Sequence, residues 1–180
     1  PAARAADLVA QAEHDPLAEA YFLTWDAELI DAVRPALETA AAGAARREIL
    51  DESLPRARAL LVRDEEQAAT VADAIAPEHL QVVTEDPQAF LKRVRAFGAA
   101  FLGPHTPVSL GDYGVGSNHV LPTLGTARFA SGLRAADFVT VSSVVEATAE
   151  GLAAAAPGVA GLARAEGLEG HARAVEVRLP

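Results

Sequence analysis

Imidazoles, carboxylates and amides gather in four short stretches of this 180-residue chain. Gln11 and His14 stand three residues apart at the end of an alanine-rich run, so both project from one face of a helix end. Two ligand-capable side chains one turn apart make half of a metal site. The same pair also suits a solvated helix edge, where an imidazolium near the C-terminus is mildly favoured. In Ala76-Pro77-Glu78-His79-Leu80, Pro77 fixes the backbone just ahead of an acid and an imidazole. Adjacent side chains diverge, so Glu78 and His79 suit two separate proton transfers; a loop glutamate beside a partly exposed histidine is the plainer alternative. The stretch Leu110 to Gly125 carries Asp112, Asn118 and His119 among Gly111, Gly114 and Gly116, with Pro122 following. Glycine lets a backbone take positive φ and approach a ligand closely, and proline forbids a long helix. A bent polar loop of this kind can hold a small molecule or a metal, and ordinary surface loops share the composition. Glu166, Glu169 and His171 form the fourth group, near the C-terminal end.

Composition narrows the chemistry. Hydrophobic residues make up 51% of the chain, which is enough for a buried core in one domain, or one domain plus an arm. The net charge of −10 argues against binding a phosphate backbone, which needs a basic face. No apolar run approaches the ~20 residues that cross a bilayer. Cysteine is absent, which suits a cytoplasmic location, and leaves only nitrogen and oxygen ligands for a metal. The chain opens on Pro1, lacks methionine and runs at once into a helical pattern, as a piece of a longer protein would.

The elements that must position these groups alternate. Helical patterns cover residues 2–14, 26–42, 45–53, 64–75 and 86–96. Short apolar runs at Ala20 to Thr24, Ala57 to Val62, Leu80 to Thr84 and Ala99 to Leu102 read as strands. This is the signature of an α/β fold: an incomplete doubly wound, mostly parallel sheet with flanking helices. Asp137 to Val145 is β-branched and predicts a further strand. Residues 146–166 are alanine-rich, with Pro157-Gly158 expected to split them into two helices. The organisation expected is an α/β domain over residues 1–133 and a helical C-terminal extension over 134–180. That extension is too small for a core of its own and is expected to pack on the main body or on another subunit. Nucleophile-elbow, P-loop, H-E-x-x-H and G-x-G-x-x-G patterns are all missing.

Taken in order, Q-A-E-H-D-P, A-P-E-H-L, L-G-D-Y-G-V-G-S-N-H-V-L-P-T-x-G-T-A-R-F and E-G-L-E-G-H-A-R closely resemble histidinol dehydrogenase. The resemblance spans nearly the whole chain, and covers the C-terminal part of the family's much longer chains. It implies zinc-dependent oxidation of L-histidinol to L-histidine through L-histidinal, with two NAD, as the last step of histidine biosynthesis. By resemblance Gln11, His14, Asp112 and His171 bind zinc, Glu78 and His79 are the acid–base pair, and His119 and Glu166 hold substrate. It also implies a homodimer in which the C-terminal arm reaches into the partner subunit.

Independent chemistry agrees with these roles. A zinc ion held by nitrogen and oxygen donors, with room for an imidazole and an amine, is an open catalytic site. A base of near-neutral pKa such as His79 suits alcohol deprotonation, and Glu78 suits activation of water for the second oxidation. Ser117 and Leu124 stand where many family members carry proline and serine, and neither is an assigned ligand. Most cofactor contacts of the family lie upstream of this chain, so its NAD-binding residues are not identified. The alternatives are a non-catalytic zinc-binding or dimerisation remnant, and a zinc hydrolase with Glu78 as base.

Overall fold

Two pairs of parallel strands organise the first 137 residues, in a computed structural model that describes residues 1–115 and 118–180. Gly116 and Ser117, part of the glycine-rich stretch, lie outside the described residues. By its contacts the chain divides into two units, Pro1–Asp137 and Phe138–Pro180.

In the first unit, helix α1 (Ala2–Ala12) buries Ala5 and Ala12, seven residues apart on one face. Strand β1 (Tyr21–Thr24) pairs in parallel with β2 (Arg58–Leu61), Tyr21 opposite Arg58. Between them run helices α2 (Ala27–Ala42) and α3 (Arg47–Ser53). The Asp26 carboxylate caps α2 by accepting from the amides of Glu28 (3.0 Å) and Leu29 (3.3 Å). Helix α2 continues through Pro35, which lies on its exposed side. Leu50 of α3 is wholly buried against Ala12 and Ala41 and locks the three helices together.

Helix α4 (Glu65–Ile75) starts on Asp64, whose carboxylate accepts from the Gln67 amide at 2.8 Å. Strands β3 (His79–Val82) and β4 (Ala99–Leu102) form the second parallel pair, with His79 opposite Ala99. The core here is Val62, Ala68, Ala69, Ala72, Val82, Phe90 and Val94. Helix α5 spans only Pro87–Leu91, shorter than the expected 86–96. The Asp73 carboxylate of α4 accepts from the amides of Arg95 (2.6 Å) and Ala96 (3.0 Å), and this tertiary capture takes the chain out of helix. The strands thus lie within a residue or two of their predicted positions, in an α/β arrangement of small parallel sheets.

A further correction concerns residues 109–113. They form a short helix, α6 (Ser109–Tyr113), so Asp112 stands on a helical turn and not on an open loop.

In the second unit the expected strand over residues 137–145 is absent. Ala135–Phe138 is a 3-10 turn, and residues 139–148 have no regular structure. Val139, Val141, Val144 and Val145 are all exposed, and β propensity expresses packing against neighbours that these valines lack here. The expected break at Pro157-Gly158 is also absent, since α7 runs unbroken from Ala149 to Ala165. Proline removes one helical hydrogen bond there, while the buried stripe Ala156, Ala160 and Ala163 continues across it. After a turn at Gly167 (φ +77°), α8 (Glu169–Glu176) packs Ala172 against Ala160 and Ala163.

Candidate active site

Glu78 and His79 are held by an unusually well determined turn. Helix α4 ends at Ala76, a buried non-glycine residue in the left-handed region (φ +51°), which costs about 1 kcal/mol and needs a surrounding that enforces it. Part of that enforcement comes from the next strand: Gly98 N–H donates to Pro77 O, and Ala99 N–H to Glu78 O, both at 2.9 Å. A Cβ on Gly98 would stand 2.5 Å from Glu78 O and 3.2 Å from Pro122 Cδ, so only glycine allows this approach. His79 opens β3, and its Nδ1 is buried with no hydrogen-bond partner among the described residues. A buried polar atom without a partner is uncommon in a folded protein.

Phe101 of β4 links this pair to α6. Its ring centroid lies 6.0 Å from that of His79, with the planes tilted by 51°. On another side, a Cβ on Gly111 would come within 2.8 Å of two Phe101 ring carbons. Glycine at 111 therefore lets α6 press onto the ring, and Asp112 follows it on the same short helix with an exposed side chain.

The loop bearing His119 is pinned by Asn118. The Asn118 side chain donates from Nδ2 to Leu133 O (2.8 Å) and accepts from Val120 N–H (2.8 Å), and Leu133 N–H returns to Val120 O (3.0 Å). His119 itself is exposed. An open cleft of about 430 Å³ lies along the following residues, lined in part by Leu121, Pro122, Phe129 and Leu133.

At the end of α1, Gln11 is half-buried and His14 exposed. The Ser53 hydroxyl, itself buried, donates to Ala12 O at 2.7 Å and fixes that helix end beside them. Earlier on α1, burial raises the Asp7 carboxyl above its usual range, while the Gln81 amide and Arg4 pull it down.

In the second unit, Glu166 closes α7, its N–H donating to Leu162 O at 3.1 Å, and His171 lies in the first turn of α8. Both side chains are exposed. Arg164 holds the two helices through two forks: to Glu169 at 2.9 and 3.0 Å, and to Glu176 at 2.7 and 2.9 Å. Hydrogen bonds from this guanidinium hold both carboxyls below the usual glutamate range, and they in turn raise the Arg164 pKa.

Of the eight predicted site residues, His79 faces the Phe101 ring with Glu78 just before it, and Asp112 follows the glycine that packs on the same ring. Gln11, His14 and His119 also belong to the first unit, and Glu166 and His171 to the second. Among the described residues no three His, Asp or Glu side chains come together closely enough to hold a metal ion. The donor set Gln11, His14, Asp112 and His171 still fits zinc by its chemistry: oxygen and imidazole nitrogen, with none of the four side chains in a hydrogen bond or salt bridge among the described residues. Phe101 and Gly98 were not anticipated from the sequence, and Gly111 was named only as a loop glycine, since its packing on Phe101 appears only when distant segments meet.

Comparison with known proteins is consistent across sequence and structure. Residues 1–179 match the family model described as histidinol dehydrogenase. A histidinol dehydrogenase from Thiocapsa roseopersicina is 46% identical over 175 residues, covering 97% of this chain and 75% of that protein. One from Nitrobacter winogradskyi is 47% identical over 176 residues, covering 97% of this chain but 41% of that one. The crystal structure of histidinol dehydrogenase from Elizabethkingia anophelis superposes with a TM-score of 0.90 at 32% identity, covering 99% of this chain and 41% of its own. The chain therefore spans about two fifths of the length of relatives such as these last two. Among the described residues no helix is long and apolar enough to cross a membrane. On this evidence the chain belongs to the histidinol dehydrogenase family.

Proposed function

We propose that this chain supplies the zinc ligands and the acid–base pair of an enzyme that oxidises L-histidinol to L-histidine through L-histidinal, using two NAD in the last step of histidine biosynthesis. The observation that carries this proposal is the family match across residues 1–179, within which Glu78 and His79 occupy a fixed turn. Gln11, His14, Asp112 and His171 are the residues that would hold zinc, and bound zinc would anchor the substrate's amine and imidazole while NAD accepts hydride. His79 takes the proton of the substrate hydroxyl as the carbinol carbon is oxidised to the aldehyde. Glu78 takes a proton from the water that adds to the aldehyde, and the aldehyde oxygen is protonated from the His79 imidazolium. His79, again neutral, then accepts the hydroxyl proton of the resulting diol in the second oxidation. His119 and Glu166 orient the substrate.

The assembly proposed is a cytoplasmic homodimer whose C-terminal arm, with Glu166 and His171, completes the site of a second copy. The exposed run Phe138, Val139, Val141, Val144 and Val145 supports this, because apolar side chains in series mark a surface that another body covers. In the longer enzyme that carries this chain, Glu78→Gln and His79→Ala are expected to keep stoichiometric zinc and lose turnover by roughly 100-fold or more. Wild-type turnover in both variants would refute the acid–base assignment.

A further inference from the structure

Arg128, in the G-T-A-R-F run, has no part in the proton transfers above, yet it touches the helix that leads into the Glu78–His79 turn. Its Nη1 donates to Gly125 O at 2.8 Å, and its Nη2 donates to Ala74 O in the last turn of α4. The last carbonyls of a helix lack partners within it, and a cation there is favoured by the helix dipole. Gly125 makes the contact possible. It sits at φ +74°, and a Cβ there would collide with Arg128 Nη1 and lie 3.5 Å from Ile75 O. At the other end of the same turn, Pro122 closes against Gly98, its Cδ lying 3.2 Å from where a Gly98 Cβ would be, and Gly98 in turn faces the Glu78 carbonyl. Residues 122–128 therefore meet the segment Ala74–His79 directly at the helix carbonyl of Ala74, and at its other end through Gly98, which faces the Glu78 carbonyl. The left-handed Ala76 lies between these two points.

We propose that Arg128 is a positioning residue: by capping α4 it fixes the Glu78–His79 pair in register with the loop that bears His119. This rests on the acid–base roles proposed for Glu78 and His79. The Arg128 side chain pairs with no carboxylate among the described residues, and Arg128 is not a member of the core of Val62, Ala68, Val82 and Phe90. Its removal therefore displaces the pair without dismantling the fold.

The test uses the longer enzyme that carries this chain, with Arg128→Met and Arg128→Lys made beside Glu78→Gln and His79→Ala. Arg128→Met is expected to lower kcat by roughly 10- to 100-fold, since a displacement of about 1 Å can cost that much. KM for histidinol, zinc content and Tm should stay near the wild-type values. Added guanidinium ion should restore part of the lost kcat. Arg128→Lys should recover less than arginine gives, because an ammonium cannot fork across two carbonyls. A kcat within about twofold of wild type in Arg128→Met would overturn the proposal. So would a loss that guanidinium does not rescue, or one that follows lost zinc or lowered Tm. If Glu78→Gln and His79→Ala keep turnover, the acid–base reading itself fails. If they lose it while Arg128→Met does not, only the role of Arg128 falls.

Discussion

The turn that carries Glu78 and His79 and the hairpin that carries Glu166 and His171 are held by different forces. The first is fixed by backbone hydrogen bonds between distant segments and by a glycine packed against a carbonyl, beside a core that includes Val82 and Phe90. The second rests on three buried alanines and on Arg164 forked to two surface glutamates. The proton transfers proposed for Glu78 and His79 would need geometry held to a fraction of an ångström, and the first arrangement suits that need. If the hairpin is the ligand-bearing arm proposed above, docking on a second copy would supply its final order, so a lightly held hairpin would be sufficient.

Gly98→Val is the substitution expected to act most strongly on this contrast. Its Cβ would meet Glu78 O at 2.5 Å, and the strain is expected to cost roughly 1–3 kcal/mol or more. Both turnover and the denaturation midpoint should fall, while the amide protection of α7 and α8 stays as it was. Equal loss of protection in both units would show that the two are not held independently.

A smaller, local effect is expected from Arg164→Met. Hydrogen exchange in α7 and α8 should quicken while β3 and β4 are unchanged, because the forks lie entirely within the hairpin. Unchanged exchange in α8 would mean that the alanine contacts alone hold it.

Acid sharpens the same point with less perturbation. The Glu169 and Glu176 carboxyls are lowered by the Arg164 hydrogen bonds, from an ordinary value of 4.5. A depressed folded pKa contributes stability that is present above 4.5 and lost as pH falls through the folded values. Protection of α8 should therefore weaken below pH 4.5 by a modest amount, screened by solvent because these groups are exposed. High salt at neutral pH should weaken it in the same direction.

The sequence pattern was most informative where local signals and tertiary packing agree. The four short apolar runs became the four strands because each pairs with a parallel neighbour. Residues 137–145 carry the same β-branched signal, yet no strand pairs with them, so the signal reports apolar side chains in need of cover and not a strand. Pro157 misled for the opposite reason: the alanine stripe of α7 outweighs one missing hydrogen bond. Asp73 shortened α5 from 22 residues away, a capture no local window contains. At the candidate site, chemical types singled out Glu78, His79 and Asp112 as candidates. Their supports could not be read so directly, because Arg128 acts across 54 residues of sequence and Gly98 matters only for the carbonyl it faces.

The most direct test of the central claim is zinc content, measured by elemental analysis in the full-length protein. His14→Ala, Asp112→Ala and His171→Ala are each expected to fall well below one zinc per subunit, beside a Glu78→Gln control that retains it. Stoichiometric zinc in all three ligand variants would contradict the account.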